Sequence, residues 1–345
     1  MREHTLQVKN LQIAFRTGNG LVRAVRDISF CLERGRTLAI VGESGSGKSV
    51  TSRAIMGILA PNAVVEGGEI LYRGKNLLQM SEKELCRLRG DKIAMIFQDP
   101  LSALNPIMPI GKQIAETMVV NQKMGRADAR ARAIKLMEEV GIRDAKSRFS
   151  RYPFEFSGGM RQRIVIAIAL AADPEILICD EPTTALDVTI QAQILELINR
   201  LKQERRLSVI FITHDLGVVA NVADDIAVMY AGKIVERGTA EDIFYDPRHP
   251  YTWALLTAMP DLTTSGPLEA IPGAPPDMLR PPVGDAFAPR NPYAMQIDFE
   301  EPPPMFELSA THAAATWLLH PSAPKVELPK ALAERIARMG GRKNG

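Results

Sequence analysis

The sequence predicts an α/β fold on a mainly parallel sheet, with an antiparallel β subdomain ahead of it, a helical subdomain within it and a Pro-rich C-terminal extension. Three observations carry this. Short continuous apolar runs, Thr37 to Val41, Glu175 to Asp180 and Leu207 to Thr213, have the length and composition of strands covered on both faces. Segments with helical spacing alternate with them, which implies parallel strands flanked by helices. A glycine-rich loop joins the first run directly to the first helical segment, Ser49 to Leu59.

In chain order, apolar residues alternate from Thr5 to Phe15 and from Ala24 to Leu32, with a turn signal at Gly18-Asn19-Gly20 between them. Residues 66–98 read as strand-like segments. Residues 110–172 read as mainly helical, including an amphipathic stretch from Arg126 to Val140 that Gly141 stops. Ile190 to Lys202 is helical between the last two buried strands. After about Pro260 the texture changes: residues 271–305 hold ten prolines, which excludes a regular helix or a central strand there. The same stretch carries Phe287, Tyr293 and Phe299, with Phe306 just beyond it, so it is expected to pack on the body. From Lys325 onward Lys325, Lys330, Arg335, Arg338, Arg342 and Lys343 outweigh Glu327 and Glu334, and this end reads as a solvated basic tail. The expected division is 1–258 for the main domain (helical subdomain about 99–172), 259–324 for the extension and 325–345 for the tail.

A chain of 345 residues with 46% hydrophobic and 24% charged residues is an ordinary globular one. The longest uninterrupted apolar run, Ile164 to Ala172, is nine residues, about half of the roughly 18 a bilayer span needs. The first ten residues lack the apolar core of a secretory signal, so a cytoplasmic location is expected. Net charge is +2, too small a field for a nucleic-acid partner. Cys31, Cys86 and Cys179 lie far apart without ligand spacing and are expected to be buried or half-buried thiols.

Gly42-Glu43-Ser44-Gly45-Ser46-Gly47-Lys48-Ser49 satisfies GxxxxGK[ST] between a buried strand and a helix. Glycines let successive N–H groups converge on phosphate oxygens, and the helix end adds a positive dipole. Lys48 supplies a cation to the β/γ-phosphates, and the Ser49 hydroxyl can ligate Mg²⁺. An acidic pair, Asp180-Glu181, ends a buried strand, where α/β sheets place their ligands. Asp180 suits the outer shell of the metal, reached through water, and Glu181 can polarise an attacking water as a base.

Phe156-Ser157-Gly158-Gly159-Met160-Arg161-Gln162, between the phosphate loop and the acidic pair, resembles the signature sequence of ATP-binding-cassette (ABC) ATPases. Gln98 in MIFQDP resembles that family's Q-loop glutamine, a catalytic and Mg²⁺-contacting residue. Thr184-Ala185-Leu186-Asp187 is similar to the D-loop, and His214 in FITHDL to the switch histidine that contacts the γ-phosphate. Phe15 is similar in place to the aromatic that stacks on adenine. The resemblance implies an ATPase that pairs two cassettes around two ATPs. Each site then takes its phosphate loop from one chain and Ser157, Gly158, Gly159 and Met160 from the other. Met160 replaces the usual glutamine of LSGGQ.

FQDPLSALNP (97–106), DVTIQAQILEL (187–197), DPRHPYTWALL (246–256) and the stretch 271–295 resemble the D-type ATPase subunits of the oligopeptide-permease family. That resemblance implies uptake of oligopeptides or dipeptides at the cytoplasmic face of a membrane. It also implies partners: a second, F-type ATPase, two integral-membrane permeases and an extracellular peptide-binding protein. Importers of nickel, glutathione or antimicrobial peptides use the same kind of motor and stay open as alternatives. Many relatives hold an iron–sulfur cluster in the extension on four cysteines, whose positions correspond here to Asp285, Asn291, Asp298 and Thr316. None is a thiolate, so no cluster is expected, and the extension is expected to rest on packing of its aromatics and prolines.

Overall fold

A computed structural model describes residues 4–89, 91–184, 186–259 and 271–341. Ala185 of the D-loop stretch, residues 260–270 at the start of the extension, and Arg342 and Lys343 of the tail lie outside the described residues. The chain opens with β1 (His4–Thr17) and β2 (Gly20–Glu33), paired antiparallel and turning at Gly18-Asn19. β3 (Thr37–Val41) is fully buried and runs through the glycine loop into α1 (Lys48–Met56). β4 (Ala63–Tyr72) and β5 (Lys75–Asn76) complete a four-stranded antiparallel sheet of order β2-β1-β4-β5.

The strand-like reading of residues 66–98 misses one element, α2 (Glu82–Arg89). None of its side chains is fully buried, and its apolar stripe is a single pair, Leu85 and Leu88, half-buried against the core, too short to read as a helical period. Its signal is polar: the Glu84 carboxylate accepts from the Ser81 N–H at 2.9 Å and from the Ser81 hydroxyl at 2.6 Å, the acidic half of an S-x-x-E helix start. β6 (Ile93–Ile96) follows, then α3 (Pro100–Ala103), α4 (Ile110–Asn121), α5 (Arg126–Glu139), α6 (Ala145–Arg148) and α7 (Gly158–Ala171). The helices close a core of Met118, Leu136, Met137, Phe149 and Ile164, all almost fully buried.

β7 (Ile176–Asp180), α8 (Val188–Arg205), β8 (Ser208–Thr213), α9 (Leu216–Val219), β9 (Asp225–Tyr230) and β10 (Lys233–Thr239) complete the central layer. Strands β9, β3, β8, β7 and β6 run parallel in that order. The pairing register decides what leaves the sheet together. Val41 pairs with Thr213 and Ile212 with Asp180, so Gly42, His214 and Glu181 emerge one residue beyond the same edge. Ile96 pairs with Cys179, which sends Gln98 out at the level of Glu181.

After α10 (Ala240–Tyr245) and α11 (Pro250–Thr257), the extension forms α12 (Gln296–Glu300), β11 (Phe306–Glu307), β12 (Ala313–Ala314) and α13 (Lys330–Gly341). The prolines leave room for one short helix, in the proline-free interval between Pro292 and Pro302, and the two short strands lie at the end of the large sheet beside β10. Phe287 is buried against Tyr230 and Tyr251, with ring centroids 5.3 Å from each, and Tyr293 meets Trp253 at 5.6 Å. Phe299 stays exposed.

Packing of aromatics and prolines is not the whole account of the extension. The Glu236 carboxylate of β10, fully buried, accepts from the Arg248 N–H at 2.6 Å and the His249 N–H at 3.0 Å, and pairs with His312 Nε2 of the extension at 2.9 Å. The four cysteine-equivalent positions are all buried polar residues that bind backbone. Asp285, Asn291 and Thr316 each accept from the N–H two residues on, and Asp298 accepts from the Met295 N–H. Short oxygen-bearing side chains thus tie the turns locally.

Two expectations need correction. Cys31 and Cys86 are exposed, because they lie on outward positions of β2 and α2, and only Cys179 is buried. The tail is not a solvated end: among its described residues Leu332 is fully buried, and Arg335 donates to the Leu256 carbonyl and, at 2.6 Å, to that of Met259. A cation there meets a carbonyl of the last turn of α11 and one just past its end. Leu332→Ala is therefore expected to destabilise the protein by about 2–5 kcal/mol, measured by denaturant unfolding; a solvated tail would give no change.

Burial pushes the Asp285 carboxyl up to about 6, and its Oδ2 has no hydrogen-bond partner among the described residues. The folded chain then keeps this proton over the window where the unfolded chain has released it. The contribution of this group to stability falls as pH rises from about 4 to 6, by roughly 3 kcal/mol in all, and is flat above. Asp285→Asn is expected to remove that component, seen as a smaller loss of stability between pH 4 and 6 than in the parent protein.

Candidate functional site

The glycine loop between β3 and α1 is shaped by left-handed backbone at Gly42, Gly45 and Gly47. A Cβ on Gly47 would sit 2.4 Å from the Ala24 carbonyl oxygen, so β2 and the loop approach each other as closely as glycine permits. Lys48 is the first residue of α1 and is 4% exposed. Its Nζ donates to the carbonyls of Gly42 and Glu43, both at 2.7 Å. Desolvation holds its pKa below the usual lysine value, against the nearby charges of Glu181, Asp180 and Glu43. The Ser49 hydroxyl donates to Asp180 Oδ1 at 2.9 Å, and burial of Asp180 outweighs that bond and raises its pKa.

Glu181 is the hub of a second set of contacts. Its backbone is left-handed, with φ of 47°, a conformation that costs a non-glycine residue about 1–3 kcal/mol and clusters at functional sites. An N–H···O bond from Glu181 to the Ile212 carbonyl, 2.9 Å, holds it there. Its Oε2 accepts from Gln98 Nε2 at 3.2 Å and from the Thr184 hydroxyl at 3.0 Å, and Oε1 lies 3.3 Å from His214 Nδ1.

Both sets face one cavity of about 590 Å³. Glu43, Lys48, Gln98, Glu181, Thr184 and His214 are among the residues that line it, together with Ser44, Gly45, Gly47 and Ser49 of the loop. The structure thus brings together the phosphate loop, Glu181, Gln98 and His214, while Asp180 lines the neighbouring cavity beside Gln98 and meets the site through the Ser49 hydroxyl.

Two expected groups lie elsewhere. Phe15 does not line this cavity; it is half-buried on β1, against the core of the antiparallel subdomain. Ser157, Gly158, Gly159 and Met160 are also outside it. Ser157 caps α7, accepting from the Met160 N–H at 3.4 Å. Asp187 caps α8 by accepting from the Ile190 N–H at 3.0 Å, and Leu186 and Ile190 lie against Gly158 and Gly159. The sulfur of Met160 accepts from Arg148 Nη1 at 3.8 Å and its side chain packs on the helical core.

The sequence reading gave Thr184 only as part of the D-loop stretch and missed its bond to Glu181, and it missed Tyr251 and Arg290 as contributors. The bond of Thr184 could have been found from its position three residues after Glu181. Tyr251 and Arg290 could not: the Tyr251 hydroxyl accepts from the Glu43 N–H at 2.8 Å, and Arg290 pairs with the Glu43 carboxylate, from positions more than 200 residues away.

Comparison with known proteins agrees with this geometry. A family model described as ABC transporter matches residues 25–184, and one described as oligopeptide/dipeptide transporter, C-terminal region, matches residues 235–297. The oligopeptide transport ATP-binding protein OppD of Bacillus subtilis is 59% identical, covering 97% of this chain and 94% of its own. The dipeptide transport ATP-binding protein DppD of Lactococcus lactis is 60% identical, covering 94% and 93%. Among solved structures, the ATP-binding cassette MJ0796, a dimer bound to ADP and phosphate in a post-hydrolysis state, superposes with a TM-score of 0.62 at 25% identity, covering 68% of this chain and 98% of that one.

The loop geometry makes a contrast testable. Gly45→Ala meets no atom within 4 Å and should cost about 1–2 kcal/mol of backbone strain alone. Gly47→Ala adds the collision with Ala24 and is expected to cost more than about 3 kcal/mol, both read by denaturant unfolding.

Proposed function

Since the chain belongs to the ABC transporter ATPases, in the branch with the oligopeptide/dipeptide C-terminal region, we propose that it binds and hydrolyses ATP to drive uptake of oligopeptides or dipeptides through a membrane complex. The observation that carries this reading is the convergence of Gln98, Glu181, Thr184 and His214 on the cavity lined by the phosphate loop.

ATP enters with its phosphates over Gly42 to Ser49, where backbone N–H groups and the N-terminus of α1 meet the anion. The Lys48 ammonium moves from the carbonyls of Gly42 and Glu43 to the β/γ-phosphate oxygens, a gain in charge pairing that outweighs two neutral acceptors. Glu181 takes a proton from the attacking water. Gln98 and Thr184 hold the Glu181 carboxylate, and His214 lies beside it to contact the γ-phosphate. Phe15 is assigned to adenine stacking on the resemblance; it lies outside the cavity but pairs with Val22 of β2, two residues before Ala24 of the cavity wall.

Mg²⁺ fits the donor set at this edge. The Ser49 hydroxyl and the Asp180 carboxylate already meet at 2.9 Å, and the Gln98 side-chain oxygen is a third hard donor; few carboxylates are needed where phosphates and water supply the rest. Among the described residues no group of three or more His, Cys, Asp or Glu could hold a metal by itself, as expected for an ion held jointly with the nucleotide. When bound it neutralises phosphate charge.

The signature residues Ser157, Gly158, Gly159 and Met160 complete the site of a second cassette, and Asp187 lies at that contact. This arrangement is supported by their position outside the cavity of their own chain and by the dimeric cassette to which the fold is similar. The second cassette in this reading is an F-type ATPase, working with two integral-membrane permeases and an extracellular peptide-binding protein. No described helix is long and apolar enough to cross a membrane, in keeping with peripheral attachment at the cytoplasmic face. We divide the chain into a nucleotide-binding domain to about residue 258, the extension 259–324 and the tail beyond.

Glu181→Gln in the assembled complex is expected to lower ATP turnover at least about 100-fold, the scale of a lost general base, with ATP affinity retained. Unchanged turnover would reject the assignment.

A further inference from the structure

A residue of the extension grips the phosphate loop. Arg290, 247 residues beyond Glu43, makes a two-pronged pair with its carboxylate: Nη1 to Oε2 at 2.6 Å and Nη2 to Oε1 at 2.9 Å. Its other donors are also used. Nη1 donates to the Tyr230 hydroxyl at 3.1 Å, Nη2 to the Ile271 carbonyl at 3.4 Å and Nε to the Pro272 carbonyl at 2.7 Å. All five N–H groups of the fork have acceptors. The guanidinium lies 5.7 Å from the Tyr230 ring and 5.9 Å from the Phe287 ring, and the side chain is only 5% exposed.

The residue it grips belongs to the cavity wall. The Glu43 N–H is held by the Tyr251 hydroxyl, and its carbonyl accepts from Lys48. The carboxylate that receives the extension's cation is therefore on the same residue whose backbone seats the phosphate-binding lysine. Unpaired, that carboxylate would stand at the edge of a site that admits a polyanion, in a half-desolvated wall where repulsion is weakly screened.

We propose that Arg290 is a positioning residue for ATP: it neutralises Glu43 and fixes the start of the phosphate loop, so nucleotide affinity depends on the docking of the C-terminal extension. The inference rests on the reading of Gly42 to Ser49 as the ATP site. It gives the extension a role at the nucleotide, transmitted through one ion pair. A lysine cannot replace the arginine, because a single ammonium makes neither the two-pronged contact nor the bonds to Ile271 and Pro272 together.

The test is titration of the purified full chain with a fluorescent N-methylanthraniloyl ATP, alongside thermal unfolding. Arg290→Ala is expected to weaken binding about five- to tenfold, the loss of a charge-assisted two-pronged pair acting at one remove, and Arg290→Lys to recover less than half of that. Glu43→Gln, which leaves no charge to neutralise, is expected to weaken binding less. The double variant should then bind as Glu43→Gln does, regaining affinity over Arg290→Ala alone. If the single variants lower the melting temperature but bind like the parent protein, Arg290 only docks the extension and the inference is overturned. Equal weakening in the double variant and Arg290→Ala overturns it as well. Should Arg290→Ala not fold, Arg290→Lys with and without Glu43→Gln makes the same comparison. Lys48→Ala separates the two readings: unchanged binding there removes the ATP-site assignment itself, whereas loss of binding in Lys48→Ala with parent-like Arg290→Ala removes only the present inference.

Discussion

The register of the parallel sheet is the constraint on which the site depends. Parallel pairing of Val41 with Thr213, of Ile212 with Asp180 and of Cys179 with Ile96 sends four chain segments out of one edge at one level. Gly42, Glu181, His214 and Gln98 are neighbours for that reason alone. A slip of one residue in any pair would move every side chain of that strand to the opposite face of the sheet, and because these strands are buried on every position each would meet packing built for a different side chain. The apolar core therefore fixes the placement of the polar groups, though none of them contributes to it.

Several features of the cavity are costly to the fold. Glu181 sits in left-handed backbone, Lys48 is desolvated, and Asp180 is buried beside it. Each cost is met by a specific partner: the Ile212 carbonyl for the strained peptide, two loop carbonyls for the ammonium, and the Ser49 hydroxyl for the carboxylate. The partners of Lys48 and Asp180 are neutral and can be exchanged for phosphate oxygens or a cation without leaving a buried charge alone. Pre-placed dipoles of this kind are what phosphoryl-transfer sites use to stabilise developing charge.

The extension is joined to the body by polar contacts set within apolar surroundings. Glu236 with His312, Arg290 with Glu43, and Arg335 with the end of α11 each link segments distant in sequence. Buried polar contacts of this kind add little net stability but penalise any other docking, since a misplaced partner leaves a buried polar group or charge without its counterpart. The aromatic cluster of Tyr230, Tyr251 and Phe287 supplies the burial.

The sequence by itself determined the alternating elements, the phosphate loop, the acidic pair at the end of β7 and the order of the motifs. Those are local: each follows from spacing, strand length or turn chemistry within some ten residues. It also marked the absence of thiolates at Asp285, Asn291, Asp298 and Thr316. It missed α2, whose start is signalled by Ser81 and Glu84 and not by an apolar stripe, and it misread the tail, where Leu332 and Arg335 look like ordinary residues of a basic segment. Only the tertiary structure decided that Arg290 and Tyr251 belong to the phosphate loop and that Met160 packs on the helical core. Those are contacts between residues up to 247 positions apart, and one sequence carries no periodic or spacing signal for a pairing that the sheet register and the docking of the extension create.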